Sequence, residues 1–156
     1  GHLRIKSPWV SNGYFKGEGG SALDEQGWLK TGDLATIDAD GAISLTDRSK
    51  DVIKSGGEWI SSIELENVAS GHPAVLQAAA IGIAHPRWQE RPLLVVTRRE
   101  GASLTAAELI EHMRGKVANW WLPDAVEFIE QMPLTGTGKL WKLKLREQFK
   151  DYQLKS

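Results

Sequence analysis

The chain has 156 residues, 41% of them hydrophobic and 25% charged, the balance of a soluble globular protein with one ordinary domain or one small domain plus an appended piece. Its 19 basic and 20 acidic residues leave a net charge of −1, so no overall field draws it to nucleic acid or to an anionic membrane surface. The absence of cysteine excludes disulfides, thiolate metal sites and a cysteine nucleophile, and no apolar run approaches the roughly 20 residues that span a bilayer. Neither an initiating methionine nor a charged-then-apolar leader opens the sequence, which is therefore expected to be a piece of a longer protein.

Leu3 to Lys6 alternates apolar and basic residues as a half-buried strand does, and Pro8 stops it. Residues 11–22 are glycine-rich and expected to be a loop. Gly17, Gly19 and Ala22 fit G-x-G-x-x-A, but Gly27 breaks the chain and no helical period follows, which argues against a dinucleotide fingerprint. Trp28 to Ile37 reads as a strand interrupted at Thr31-Gly32-Asp33. The turn Asp38 to Gly41 then leads into Ala42 to Leu45, completing a β-hairpin signature.

Asp47 to Ile60, DRSKDVIKSGGEWI, is the densest stretch. Its charges alternate in sign, Val52 and Ile53 begin a short apolar strand, and Gly56-Gly57 break it, with Trp59 expected on the resulting loop. Ser61 or Ser62 can cap a helix that carries Ile63, Leu65 and Val68 and ends at Gly71. Val75 to Ile83 and Pro92 to Thr97 are continuous apolar runs, as for strands covered on both faces, joined by a polar loop from Pro86 to Arg91. Thr105 caps a helix whose inner face is Leu109, Ile110, Met113 and Val117, Ala125 to Ile129 makes a third strand, and a basic amphipathic helix over 140–149 turns Leu140, Leu143, Leu145 and Phe149 inward. The order is α+β: a small domain with a three-stranded sheet packed by helices, preceded by a β-hairpin segment, with the boundary near Lys50.

Several residues bear on chemistry. Lys139, in PLTGTGKL, sits on a loop made supple by Gly136 and Gly138 just ahead of a helix start that favours anions; the alternative is a solvated lysine in a turn. A phosphate-binding P-loop is rejected, because Pro133 replaces its first glycine and Leu140 its hydroxyl residue. Asp33, short and beside a glycine, suits the vicinal hydroxyls of a ribose or, equally, an Asx turn. His72 and His85 precede prolines and have no partner at metal-ligand spacing, and no serine occupies a nucleophile elbow. The seven tryptophans belong to core or rim by default, but Trp59, Trp88 and Trp120 are placed where a flat base could stack.

GWLKTGDLA, ISLTDRSKDVIKSGGEWISSIELEN, HPRWQERP and PLTGTGK, in this order and at these spacings, resemble the adenylate-forming acyl-CoA synthetases, and within them the medium- and long-chain fatty-acyl-CoA synthetases. LRIKSPWVSNGY is similar to a motif upstream of these, with His2 in place of the expected Glu. The resemblance implies that residues 1–49 are the end of a large adenylation domain and residues 50–156 a complete C-terminal lid. It implies Lys139 as the catalytic lysine of adenylation, Asp33 and Arg48 as nucleotide-binding residues at the ribose, and Lys50 as the hinge. Gly56, Gly57, Glu58 and Trp59 match the loop along the pantetheine chain, and Trp88 and Trp120 the place of the coenzyme A adenine. Leu122 and Asp124 stand where some relatives carry basic residues.

The implied cofactors are ATP, coenzyme A and Mg²⁺, the last held mainly by the domain upstream, and the implied substrate is a fatty acid activated in the cytoplasm. The isolated piece is expected to be inactive and, through its severed β segment, to pair with a second copy. The alternative is a free-standing nucleotide- or CoA-binding or protein-interaction module, docking a partner through the tryptophan loops and the basic last helix.

Overall fold

The two continuous apolar runs pair with each other. In a computed structural model, which describes residues 1–11 and 21–154, they form the long antiparallel strands β6 (Val75–His85) and β7 (Gln89–Arg98), paired from Val75 opposite Arg98 to His85 opposite Gln89 with one register shift between Val75 and Gln77. Alternate residues feed two cores. Ala78, Ala80, Leu94 and Val96 face one side, and Ala79, Ile81, Ile83, Leu93 and Val95 the other. A strand buried on both faces has no polar side to advertise, which is why its sequence shows no alternation.

The chain divides into two compact units, Gly1–Lys50 and Asp51–Ser156. The first is a three-stranded antiparallel sheet of β1 (His2–Ile5), β2 (Leu29–Ile37) and β3 (Ile43–Arg48), in spatial order β1-β2-β3. β2 runs unbroken through Thr31-Gly32-Asp33 rather than being interrupted there: Gly32 takes φ +79° within the strand and the register shifts between Leu34 and Ala35. Ile37, Ile43 and Leu45 are exposed on this sheet. The fit of Gly17 and Gly19 to a dinucleotide pattern lies outside the described residues.

In the second unit, β4 (Ile53–Ser55) and β5 (Glu58–Ile60) make a hairpin closed by Gly56 and Gly57. Both glycines have positive φ, +60° and +88°, as a two-residue turn matched to strand twist requires. The sheet runs β5-β4-β7-β6, and β8 (Ala125–Phe128) pairs in parallel with β7. Five strands thus replace the expected three, because the short hairpin joins the edge of β7.

Helices α1 (Ser62–Ser70) and α2 (Ala106–Met113) cover one face through Leu65, Ala69, Leu109 and Met113, while α3 (Lys142–Gln148) covers the other through Leu145. The α+β class expected from the sequence therefore holds. Ser61 caps α1, accepting from the Glu64 amide at 3.2 Å, and Thr105 with Glu108 forms a reciprocal capping box on α2. Helix α2 stops four residues earlier than its apolar period suggests, because Gly115 turns to φ +76°, although Val117 is still buried. Helix α3 begins at Lys142, since Leu140 is held in a bridge to Leu134. Leu143 faces solvent rather than the core. No tryptophan is fully buried among those described; Trp121 packs against the core and Trp9 is 93% exposed.

Two long-range ion pairs fasten α3. Lys142 Nζ lies 2.6 Å from Glu66 Oε1 and donates to Ser62 Oγ at 2.7 Å, while Arg146 Nη2 donates to Asp51 Oδ1 at 2.9 Å. Glu66 Oε1 also accepts from the Ala80 amide at 2.8 Å, tying α1, β6 and α3 at one atom. Glu66→Ala is expected to destabilise the fold by about 3–5 kcal/mol, since it leaves a largely buried ammonium uncompensated. Urea unfolding measures this, and Glu66→Met/Lys142→Met should recover most of the loss but not the bond to the Ala80 amide.

A second prediction concerns acid. His112 on α2 meets His72 edge-on at 5.0 Å between ring centroids, and its ring nitrogens lie 3.1 and 3.2 Å from Lys116 Nζ. Burial first, then the charges of Lys116 and His72, hold the His112 pKa below its usual value. A histidine depressed in the folded state stays neutral there while the unfolded chain takes up the proton. Its contribution is full above the unfolded pKa of about 6.5 and is lost as pH falls through the folded value. Urea midpoints should decline on acidification from about pH 6.5 downward, and the His112→Asn variant should lose this component of the slope.

Candidate functional site

In the first unit, the register of β2 and β3 sets Asp33 opposite Arg48, and their side chains meet at 3.5 Å. The Thr31 hydroxyl turns toward the chain here, donating to Leu3 O at 2.9 Å and accepting from the Asp33 amide at 3.1 Å. This leaves the Asp33 carboxylate on the wall of a pocket of about 310 Å³ with His2, Arg4, Lys30 and Ser49. His2 Nδ1 and Ser49 Oγ lie 2.9 Å apart, joining the two ends of that wall. A carboxylate among four side chains that donate hydrogen bonds is suited to a polyhydroxylated ligand.

Lys50 is exposed in the turn from Ser49 to Asp51 that ends the first unit, whereas Asp51 is buried and paired with Arg146.

In the second unit, Gly56, Glu58, Trp88 and Trp120 line one pocket of about 450 Å³ together with Ser55, Arg91 and Asp124. Gly57 and Trp59 do not line it. Trp59 lies on β5 opposite Lys54 rather than on a loop. The hairpin reaches the pocket because Gly56 N donates to Trp88 O at 2.8 Å and Ser55 pairs with Gln89. Trp88 is held from behind by His85, whose Nδ1 accepts from the amides of Arg87 and Trp88 at 3.1 and 3.2 Å, and the Arg87 guanidinium stands 4.6 Å over its ring. Gln89 follows at φ 71°, the one left-handed non-glycine residue among those described, so backbone strain is stored at this corner.

Two glycines admit close approaches here. A Cβ at Gly56 would come within 2.8 Å of the Trp88 ring, and one at Gly82 on β6 within 2.7 Å of the Glu90 carboxylate, which accepts from the Lys54 amide at 2.8 Å.

The pocket also contains what the sequence did not announce. Arg91, expected on a polar loop, belongs to β7, and its side chain is only 13% exposed. It donates to Asp124, Ser55 and the backbone at Trp120 and Leu122. The available signal was slight, a charged residue directly ahead of the buried run from Pro92 to Thr97.

Lys139 stands apart on the turn Thr135–Lys139. Lys139 O accepts from the Thr135 amide at 2.7 Å, Lys139 N donates to Thr135 Oγ1 at 3.2 Å, and Gly138 takes φ +79°. The side chain is exposed, and among the described residues its ammonium has no ion pair.

Residues 64–139, from the first turn of α1 to Lys139 itself, match the family described as AMP-binding enzyme C-terminal domain. The chain belongs to the adenylate-forming, AMP-binding enzymes. It is 52% identical over 151 residues to a 3-methylmercaptopropionyl-CoA ligase of Ruegeria lacuscaerulensis, a match covering 97% of this chain and 28% of the relative. It is 47% identical over 156 residues to a medium-chain-fatty-acid–CoA ligase of Ectopseudomonas oleovorans, covering 100% and 28%. Among solved structures, ATP-bound MatB from Rhodopseudomonas palustris superposes with a TM-score of 0.85 at 31% identity, over 97% of this chain and 30% of that one. The chain thus spans a little over a quarter of the length of these AMP-binding relatives.

The two hairpin glycines of this AMP-binding domain separate experimentally. Gly57→Ala is expected to cost about 1–2 kcal/mol for a side chain at positive φ, with open space around it. Gly56→Ala adds the collision with Trp88 and should cost more and shift tryptophan emission. Denaturation with fluorescence detection of the two variants side by side checks the order.

Proposed function

We propose that the chain is the C-terminal part of an ATP-dependent, AMP-forming acyl-CoA ligase acting on a fatty acid, with residues 1–49 closing the large adenylation domain and residues 50–156 forming the mobile lid. What carries this reading is the separation of two chemically different surfaces on one small body. Lys139 offers, among the described residues, a cation without an ion pair on an exposed turn, while Gly56, Trp88 and Trp120 form a pocket that Lys139 does not line. One surface suits a reaction centre that gathers negative charge, the other the neutral pantetheine arm and the flat base of coenzyme A.

In the first half-reaction the substrate carboxylate attacks the α-phosphorus of ATP and pyrophosphate leaves. Lys139 places its ammonium on the phosphoryl oxygens where charge builds, and the carboxylate of Asp33, beside Arg48, takes the ribose hydroxyls. In the second, the thiol of coenzyme A attacks the acyl carbonyl and AMP leaves. The Gly56-Gly57 edge lets the pantetheine pass without a Cβ in the way, and Trp88 and Trp120 hold the adenine. Rotation at Lys50 exchanges the two surfaces. Its exposed turn, followed at once by the fastened Asp51, suits a pivot whose far end is anchored in the lid.

Among the described residues no group of three His, Asp or Glu side chains converges as a metal site; Mg²⁺, which nucleotide sites hold through one or two carboxylates and the phosphates themselves, is assigned mainly to the domain upstream and enters no step above. Among the described residues no helix is long and apolar enough to cross a membrane. The exposed Ile37, Ile43 and Leu45 favour self-association of the isolated chain.

The rival reading, a docking module using the basic last helix, is weakened because Lys142 and Arg146 are already spent on Glu66 and Asp51.

In the full-length ligase, Lys139→Ala should lower ATP–pyrophosphate exchange by roughly 10²- to 10³-fold. Lys50→Pro should depress thioester formation far more than exchange. Near wild-type exchange in the first variant overturns the catalytic role of Lys139, and equal loss of both half-reactions in the second overturns the pivot.

A further inference from the structure

Strand β7 has one edge filled by β6 along its whole length, and the opposite edge is shared. β4 meets it at Gln89, and β8 meets it from Leu93 to Val96. Between these two partners lies a short interval around Arg91 and Pro92 where no strand runs, and Pro92 has no N–H to offer one. The two walls of the 450 Å³ pocket belong to these two different partners. Ser55 and Gly56 come from the hairpin, and Trp120 and Asp124 from the segment leading into β8. Each wall is anchored by its own backbone bond to β7, Gly56 N donating to Trp88 O at 2.8 Å and Asp124 N to Pro92 O at 3.0 Å, and the width left between them is spanned by a side chain.

We propose that Arg91 is the positioning residue that sets this width, and so holds the stacking surface of Trp120 at its distance from Gly56 and Trp88 for the thiol substrate. The proposal rests on the assignment of the pocket to coenzyme A. The guanidinium fills the gap between the strands and bonds both walls. Nη1 donates to Ser55 Oγ at 3.1 Å and to Trp120 O at 2.8 Å, Nη2 to Leu122 O at 3.1 Å and Asp124 Oδ1 at 2.6 Å, and Nε to Asp124 Oδ1 at 2.9 Å. These bonds use all the N–H donors a guanidinium has. None is left for a ligand phosphate, and the charge is matched by Asp124, so Arg91 acts through the loop it braces. Lysine, with a point charge and no planar fork, cannot span the same acceptors.

The test uses the full-length ligase and compares Arg91→Lys, Trp120→Ala and the double variant, with coenzyme A and with 3′-dephospho-CoA as thiol. Arg91→Lys should raise the KM for either thiol by about ten- to a hundred-fold, with kcat in thioester formation retained and pyrophosphate exchange intact. The double variant should be no worse than Trp120→Ala alone, because the brace has no purpose once the ring is gone. Multiplying effects in the double variant would overturn the proposal. So would a loss confined to coenzyme A, which would mean direct phosphate contact, or a parallel fall in exchange, which would mean general damage to the fold. If Trp120→Ala itself leaves the KM for coenzyme A unchanged, the assignment of the pocket fails, whatever Arg91 does.

Discussion

Burial of β7 on both faces is the constraint from which the rest of the second unit follows. With Leu93 to Val96 all inaccessible to water, neither face can present chemistry, so function is confined to the strand's edges and ends. One edge is consumed by β6. The other is divided between a glycine hairpin and a short parallel strand, and the pocket opens where that division occurs. A rigid, featureless core strand thereby becomes the ruler against which two otherwise independent loops are aligned.

The opposite face of the sheet is organised for a different end. Helix α3 contributes one fully buried side chain, Leu145, and otherwise depends on Lys142 and Arg146 reaching partners far away in sequence. Hydrophobic burial alone places a helix but leaves it free to slide, whereas two charged contacts to α1 and to Asp51 fix its position along the sheet. The turn carrying Lys139 precedes this helix directly, so its location is inherited from those contacts rather than from its own few hydrogen bonds. An exposed glycine-rich turn on a well-fixed base combines local freedom with a defined origin.

What could be read from the residues in advance was what depends on near neighbours. Thr105 and Glu108 are three apart and cap a helix; Gly56-Gly57 between short apolar runs make a turn; Val75 to Ile83, with no polar alternation, is covered on both sides. Errors came where a local signal was overridden. The apolar spacing of α2 continues to Val117, but Gly115 ends the helix and Val117 is buried from an irregular segment instead. Thr31-Gly32-Asp33 looked like a break in β2, yet a left-handed glycine and a register shift kept the strand whole. Arg91 was unreadable as a structural residue because its acceptors lie 29 to 36 residues away and it follows the polar Gln89 and Glu90. The candidate site was legible as a set of residue types and motifs, but its division into separate pockets was not, since that depends on which strand occupies which part of a shared edge.

Gly82 shows how far such a division reaches. It sits on β6 and lines neither pocket described above, and its missing side chain makes room for Glu90 to stretch across and grip the Lys54 amide. A methyl group there would press on that carboxylate, the far end of a flexible side chain, and re-aim its bond to the hairpin's first strand, and the hairpin carries the pocket's glycine wall. An empty space the size of one carbon atom on β6 thus bears on where the hairpin's first strand is held.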